Sequence, residues 1–163
     1  TVPLNIENET ITIKIKDVFD RIDYDTIFLT PGIIVSGIVE LEGKINFSEA
    51  AVNILNDTEF YSSFTDTDGR FYIRILYPDT FNIVITKSLY LPYEFQIRID
   101  SSVSISDSLY LSAGDFFRDG QLNILDAALI KKFFGQVKME LDINGDGIIG
   151  AAEKELLKKN ILK

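Results

Sequence analysis

Cysteine, histidine and tryptophan are absent from this 163-residue chain, and methionine occurs once. Without cysteine there is no disulfide, no zinc-thiolate site and no thiol nucleophile, and the redox compartment stays open. Without histidine the usual general base, the Ser-His-Asp arrangement and imidazole metal ligands are lost together. Only carboxylates, lysines and tyrosines remain for acid-base chemistry, so an enzyme is not expected. No apolar run approaches the roughly eighteen residues that a membrane-spanning helix needs. The opening carries no basic and apolar leader, and the chain is expected to be a mature or excised piece.

What is present is apolar and acidic. Hydrophobic residues make up 46% of the chain, ample for the packed core of one medium domain or two small ones. The net charge of −9 is unevenly placed: eight acids and eight bases lie from Gly114 onward, which leaves 17 of the 25 acids and 8 of the 16 bases in residues 1–113. An acidic first part repels phosphate backbones, so nucleic acid is not an expected partner.

Residues 11–111 carry the period of two that marks half-buried strands. "ITIKIK" aligns Ile11, Ile13 and Ile15; "RFYIRIL" aligns Phe71, Ile73 and Ile75; "FNIVITK" aligns Phe81, Ile83 and Ile85; "EFQIRI" aligns Phe95, Ile97 and Ile99. Turn chemistry separates them at "TPG" (Thr30 to Gly32), "NDTE" (Asn56 to Glu59), "TDTDG" (Thr65 to Gly69) and "YPDT" (Tyr77 to Thr80). Short strands at this spacing predict an all-β sandwich. Asp66 and Asp68 read as a hairpin turn, because no acid stands twelve places on, at Tyr77. "DVFDRIDYDTIF" (Asp17 to Phe28) reads either as a short amphipathic helix or as an irregular strand pair.

After Gly114 the period changes. "LNILDAALIKKFFG" puts Leu122, Leu129, Ile130, Phe133 and Phe134 where a helix would bury them and stops at Gly135; "AAEKELLKKNILK" does the same with Leu156, Leu157, Ile161 and Leu162. The fold expected is therefore mixed: an all-β sandwich over 1–113, with 1–30 unassigned, and a small α-helical unit over 114–163.

Each predicted helix follows a twelve-residue loop. "DINGDGIIGAAE" (Asp142 to Glu153) sets Asp142, Asn144 and Asp146 at alternating positions, turns on Gly147 and closes with Glu153, the spacing an oxygen cage for calcium requires. "DFFRDGQLNILD" (Asp115 to Asp126) overlays it after a shift of 27 residues. In both copies the first and fifth positions offer carboxylates (Asp115 and Asp119; Asp142 and Asp146), the seventh a backbone carbonyl (Gln121; Ile148) and the twelfth a carboxylate (Asp126; Glu153). The second copy adds Asn144 at the third position, with Gly150 at the ninth leaving room for water. The first has Phe117 at the third, which no metal can use, with Asn123 at the ninth and the short Asp126 partly compensating. Two calcium ions are expected, the first loop being the weaker, with magnesium a poor substitute. Leu122 and Ile149, at the eighth positions, could pack the loops as a pair.

The segments "GDFFRDGQLNILDAALIKKFF" and "LDINGDGIIGAAEKELLKKNIL" resemble the dockerin module of cellulosomal proteins. A strand-like "SLYLSAG" runs straight into the first loop, where a calcium-sensor hand would have a helix. The preceding strands, from "IIVSGIVELEGKINFSEAAVNILND" through "YSSFTDTDGRFYIRIL" to "FNIVITKSLYLPYEFQIRI", resemble the X module that precedes type II dockerins, a sandwich similar to carboxypeptidase regulatory-like domains.

The resemblance implies a secreted, non-catalytic module that docks onto a cohesin of a scaffoldin or cell-surface protein, with the sandwich as a brace. It implies partner contact at the tenth and eleventh loop positions (Ile124 and Leu125; Ala151 and Ala152), a set more like type II than the hydroxyl residues of type I. It extends that contact along the helices to Ala128, Lys131, Lys132, Glu155, Lys158 and Lys159. Inward packing of Ile124 and Leu125, and a plain solvated face for the lysines, are the competing readings. Because the copies differ here, one binding orientation is expected to be preferred. Among other functions, a calcium sensor would need helices on both sides of each loop and a methionine-rich surface, whereas the single methionine, Met139, lies outside the predicted helices. A carbohydrate-binding sandwich would need an exposed aromatic platform, for which Tyr90 and Tyr93 are the candidates. A carboxylate hydrolase would need acids that are not committed to the loops.

Overall fold

The computed structural model describes residues 9–16, 21–29 and 32–162. Strands β1 (Glu9–Lys16) and β2 (Ile22–Leu29) form an antiparallel hairpin with Ile11 opposite Ile27. The second part of "DVFDRIDYDTIF" is therefore strand, while Asp17 to Asp20 lie outside the described residues, as do Thr30 and Pro31 of the expected turn.

Ten further strands follow: β3 (Ile33–Leu41), β4 (Ala51–Leu55), β5 (Phe60–Phe64), β6 (Arg70–Ile75), β7 (Asp79–Thr86), β8 (Leu89–Tyr90), β9 (Tyr93–Ile99), β10 (Val103–Ser104), β11 (Leu109–Leu111) and β12 (Ala113–Asp115). One sheet is built around β3, with β6 antiparallel on one side and β10 and β11 parallel on the other; the second runs β5-β4-β7-β9 and is antiparallel throughout. The alternation read from the sequence decides which side chains meet between them. Phe71, Ile73 and Ile75 of β6, Phe81, Ile83 and Ile85 of β7, and Val52 and Ile54 of β4 are all buried in one apolar cluster. On β9 only Ile99 is fully buried, and Phe95 and Ile97 are partly covered.

The turns behave as their residues dictate. Asn56 Oδ1 accepts the amides of Thr58 and Glu59, and Asp66 Oδ1 accepts those of Asp68 and Arg70 at 3.0 and 2.8 Å, so Asp66 closes a hairpin as expected. Gly69 completes that hairpin at φ +79°, and a Cβ there would stand 2.0 Å from the Val39 carbonyl oxygen. Backbone cannot yield as a side chain can. Gly69→Ala is therefore expected to destabilise the sandwich by about 2 kcal/mol or more, measured by urea unfolding, whereas the same change at Gly120, which has nothing within 4 Å, brings the φ strain alone.

Two helices follow the strands, α1 (Ile124–Phe133) and α2 (Ala151–Ile161). Asn123 caps α1 by accepting the Leu125 amide, and Gly135 at φ +77° follows its end. The helical unit is continuous with the sandwich: Phe116, Ile130, Ile143, Ile149 and Leu157 belong to the same buried cluster as the inner faces of the sheets. No helix among the described residues is long and apolar enough to cross a membrane.

Candidate functional site

The two loops are built alike. Asp115, at the first position, accepts the amides of Asp119 and Gly120 at 3.0 and 3.1 Å; Asp142 accepts those of Gly145 and Gly147, both at 2.7 Å. At the twelfth position Asp126 takes the Phe117 and Asn123 amides at 2.8 and 2.9 Å, and Glu153 takes those of Asn144 and Gly150 at 3.4 and 2.9 Å. Third and ninth positions are thus tied to the twelfth in both copies. Backbone at the fourth and sixth positions is left-handed in both as well: Arg118 (φ +62°) and Gly120 in one, Gly145 and Gly147 in the other. Arg118 sits in a conformation that suits glycine, as the duplicated loop requires at that place.

Asp126 and Glu153 are fully buried and Asp115 nearly so, yet none of the three has an ion-pair partner among the described residues. Amide hydrogen bonds orient a buried carboxylate but leave its charge uncompensated. Asp146, which is exposed, is held below the ordinary carboxyl range by the Asn144 amide and then by the Ile148 amide. Among the described residues no three acidic side chains cluster closely enough to hold a metal alone. The donor set that fits is mixed, with carboxylates joined by Asn144 or Asn123, the Gln121 and Ile148 carbonyls and water, and hard oxygen donors of this kind suit calcium. Ile149 is buried in the common apolar cluster and Leu122 packs against that cluster, partly covered; the Ile149 backbone bonds Gln136 and Gly135 at 3.0 and 2.8 Å.

Between the helices runs an apolar groove of about 730 Å³, lined by Ile124, Ile130, Phe134, Leu157, Ile161 and Leu162 among others. Lys131, Lys154 and Lys158 line it too. Ile124 is 78% exposed and Leu125 45%, so neither packs inward. Of the expected contact residues, Ile124, Lys131 and Lys158 meet in this groove; Leu125, Ala128, Ala151 and Glu155 are exposed outside it and Ala152 is half-buried. Lys132 stacks over the Phe133 ring at 5.0 Å, and the Lys159 ammonium is bound at 2.6 Å to Glu42 of the sandwich.

Three residues depart from their expected burial. Phe134, Ile161 and Leu162 are exposed at 53%, 40% and 76%. Phe134 has left the helix (ψ 129°), and the other two sit at the last turn of α2, where no third layer covers them. Together with Ala127 and Lys154 they are groove residues that the sequence pattern assigned to a core or did not single out. Tyr90 is buried, its hydroxyl donating to the Glu42 carbonyl at 2.9 Å, so it cannot serve as an aromatic platform; Tyr93 packs edge-on against Phe95.

Residues 113–162 match the family model of the dockerin type I domain. In overall structure the chain is similar to a chain of the type II cohesin-X-dockerin complex of Acetivibrio cellulolyticus, solved as an N-terminal interface mutant: TM-score 0.70, 26% identity, 78% of this chain and 94% of that one covered. A C-terminal interface mutant of the same complex gives TM-score 0.67 at 24% identity with the same coverage. No curated protein matches. A β-sandwich followed by a small two-helix unit is thus the architecture of this chain, and residues 113–162 of it are similar to the dockerin type I domain.

Proposed function

We propose that this chain, an X module over residues 1–113 with 1–30 unassigned, followed by a dockerin over 114–163, binds a type II cohesin in a calcium-dependent manner. It would thereby attach its parent protein to a cellulosome or cell surface outside the cell. One observation carries the reading: an exposed apolar groove with three lysines lies between two helices, each entered from a duplicated loop whose buried carboxylates lack a counter-charge. Apolar anchors at the centre and charge around them are the anatomy of a specific interface. The structural likeness to a type II complex and the apolar pair Ile124 and Leu125 favour type II, although the matching family model is named for type I.

Each loop would hold one calcium ion. In the first, Asp115, Asp119, Asp126, Asn123 and the Gln121 carbonyl are the donors we assign; in the second, Asp142, Asn144, Asp146, Glu153 and the Ile148 carbonyl. The ions neutralise buried carboxylates and fasten the first turn of each helix, which sets the groove's two walls. No reaction is involved. Calorimetric titration against type I and type II cohesins in calcium tests the reading, with tight one-to-one binding to type II expected. Binding to type I alone would overturn the choice of type, and binding to neither would overturn the docking role.

A further inference from the structure

We infer that Glu42, a sandwich residue far from the groove in sequence, is a positioning residue for the docking groove; this rests on the groove reading above. Glu42 lies just after β3 and its side chain is only 3% exposed. The sandwich fixes its backbone twice: its amide donates to the Leu111 carbonyl at 3.1 Å, and its carbonyl accepts the Tyr90 hydroxyl. Its carboxylate then reaches into the dockerin. Oε1 accepts the Lys159 ammonium at 2.6 Å, and Oε2 accepts both the Ala113 amide at 3.1 Å and the Asn160 side-chain amide.

Asn160 is fixed by the same contact. Its Nδ2 donates to Glu42 and, at 2.9 Å, to the Ala113 carbonyl, while its buried Oδ1 has no partner. The flipped amide would turn that oxygen toward a carboxylate and a carbonyl, so the donor orientation is the one the surroundings allow. Burial raises the Glu42 carboxyl, but the bonds from Lys159, Asn160 and Ala113 outweigh it and leave the group below its ordinary value. It is therefore a carboxylate at neutral pH.

Among the described residues, Glu42 and the Ala113 carbonyl are the groups to which side chains of the last turn of α2 hydrogen-bond on the sandwich. The turn ends at Leu162 without a left-handed glycine cap, and helix ends fray unless something ties them. The same turn supplies Lys158 and Ile161 to the groove, with Lys159 and Asn160 facing the sandwich. Holding the second pair places the first. Glu153 at the start of α2 and Glu42 at its end thus fix one groove wall from two sides.

The test uses the full chain in saturating calcium. Glu42→Gln keeps the shape and removes the charge. It is expected to speed amide exchange at residues 158–162 while leaving α1 unchanged, and to weaken type II cohesin binding by roughly tenfold. Lys159→Arg should bind like the wild type, and Lys159→Met should lose as much as Glu42→Gln. The double variant Glu42→Gln with Lys159→Met should lose less than the sum of the two single changes, because both act on the Glu42–Lys159 contact. Additive losses would assign Lys159 to the partner directly and overturn the inference. So would Glu42→Gln with wild-type exchange or wild-type affinity. A wild-type chain that binds no cohesin would overturn the docking reading and this inference with it.

Discussion

Excess chelator is expected to melt the two helices and abolish partner binding while the β-sheet signal persists. The reason is local: fifty residues bury too little apolar surface to hold a fold securely, and this unit also buries Asp115, Asp126 and Glu153 without cationic partners. On the proposed reading, chelation would leave those carboxylates desolvated and without a counter-charge. By mass action each occupied site adds about 2.7 kcal/mol at a hundredfold excess of calcium over its dissociation constant. The sandwich core, built on Phe71, Phe81, Ile54 and their neighbours, comes from strands that precede the loops. Circular dichroism and thermal scans in calcium and in chelator measure the effect, and identical melting in both would remove calcium from the account. Glu153→Gln refines the test, since it removes the charge and leaves one oxygen to accept only one of the Asn144 and Gly150 amides, which bond to different oxygens of Glu153. It should cost more of the calcium-linked stability than Asp126→Asn, because the first loop already lacks a ligand at Phe117.

Placing a charge in the groove should be the most damaging surface substitution. Ile124 is 78% exposed, so Ile124→Asp should alter stability by no more than about 0.5 kcal/mol. If the groove is the docking face, the same carboxylate must be desolvated on binding, and a loss of about 2 kcal/mol or more, roughly thirtyfold in affinity, is expected. Phe60→Asp on β5 is a matched control: it is 65% exposed, on a sandwich strand that takes no part in the groove, and should bind as the wild type does. Equal affinities for the two variants would move the interface elsewhere.

The loops were legible because their information is local. A twelve-residue ring closes on itself, so the order Asp142, Asn144, Asp146, Gly147, Glu153 already states where the backbone must turn and which carboxylates can fold back onto its amides. The duplicated amide bonds to the first and twelfth positions follow that order. Strand alternation was legible for a similar reason: in β6 and β7 a period of two sends Phe71, Ile73, Ile75, Phe81, Ile83 and Ile85 to one side. Asp66 as a turn residue needed nothing beyond its neighbours.

Tertiary structure decided what covers what. A helical period marks Phe134, Ile161 and Leu162 as apolar but cannot say whether a second surface meets them, and here none among the described residues does, so a would-be core becomes a groove. Glu42 shows the limit most plainly. Its partners Lys159 and Asn160 lie 117 and 118 residues away, and a glutamate after a strand has no local pattern that distinguishes a clamp from a solvated charge. The same contact drew Lys159 toward the sandwich, and Tyr90 was buried beneath it. Short-range geometry is written in residue order; contact between surfaces arises only when the chain has brought them together.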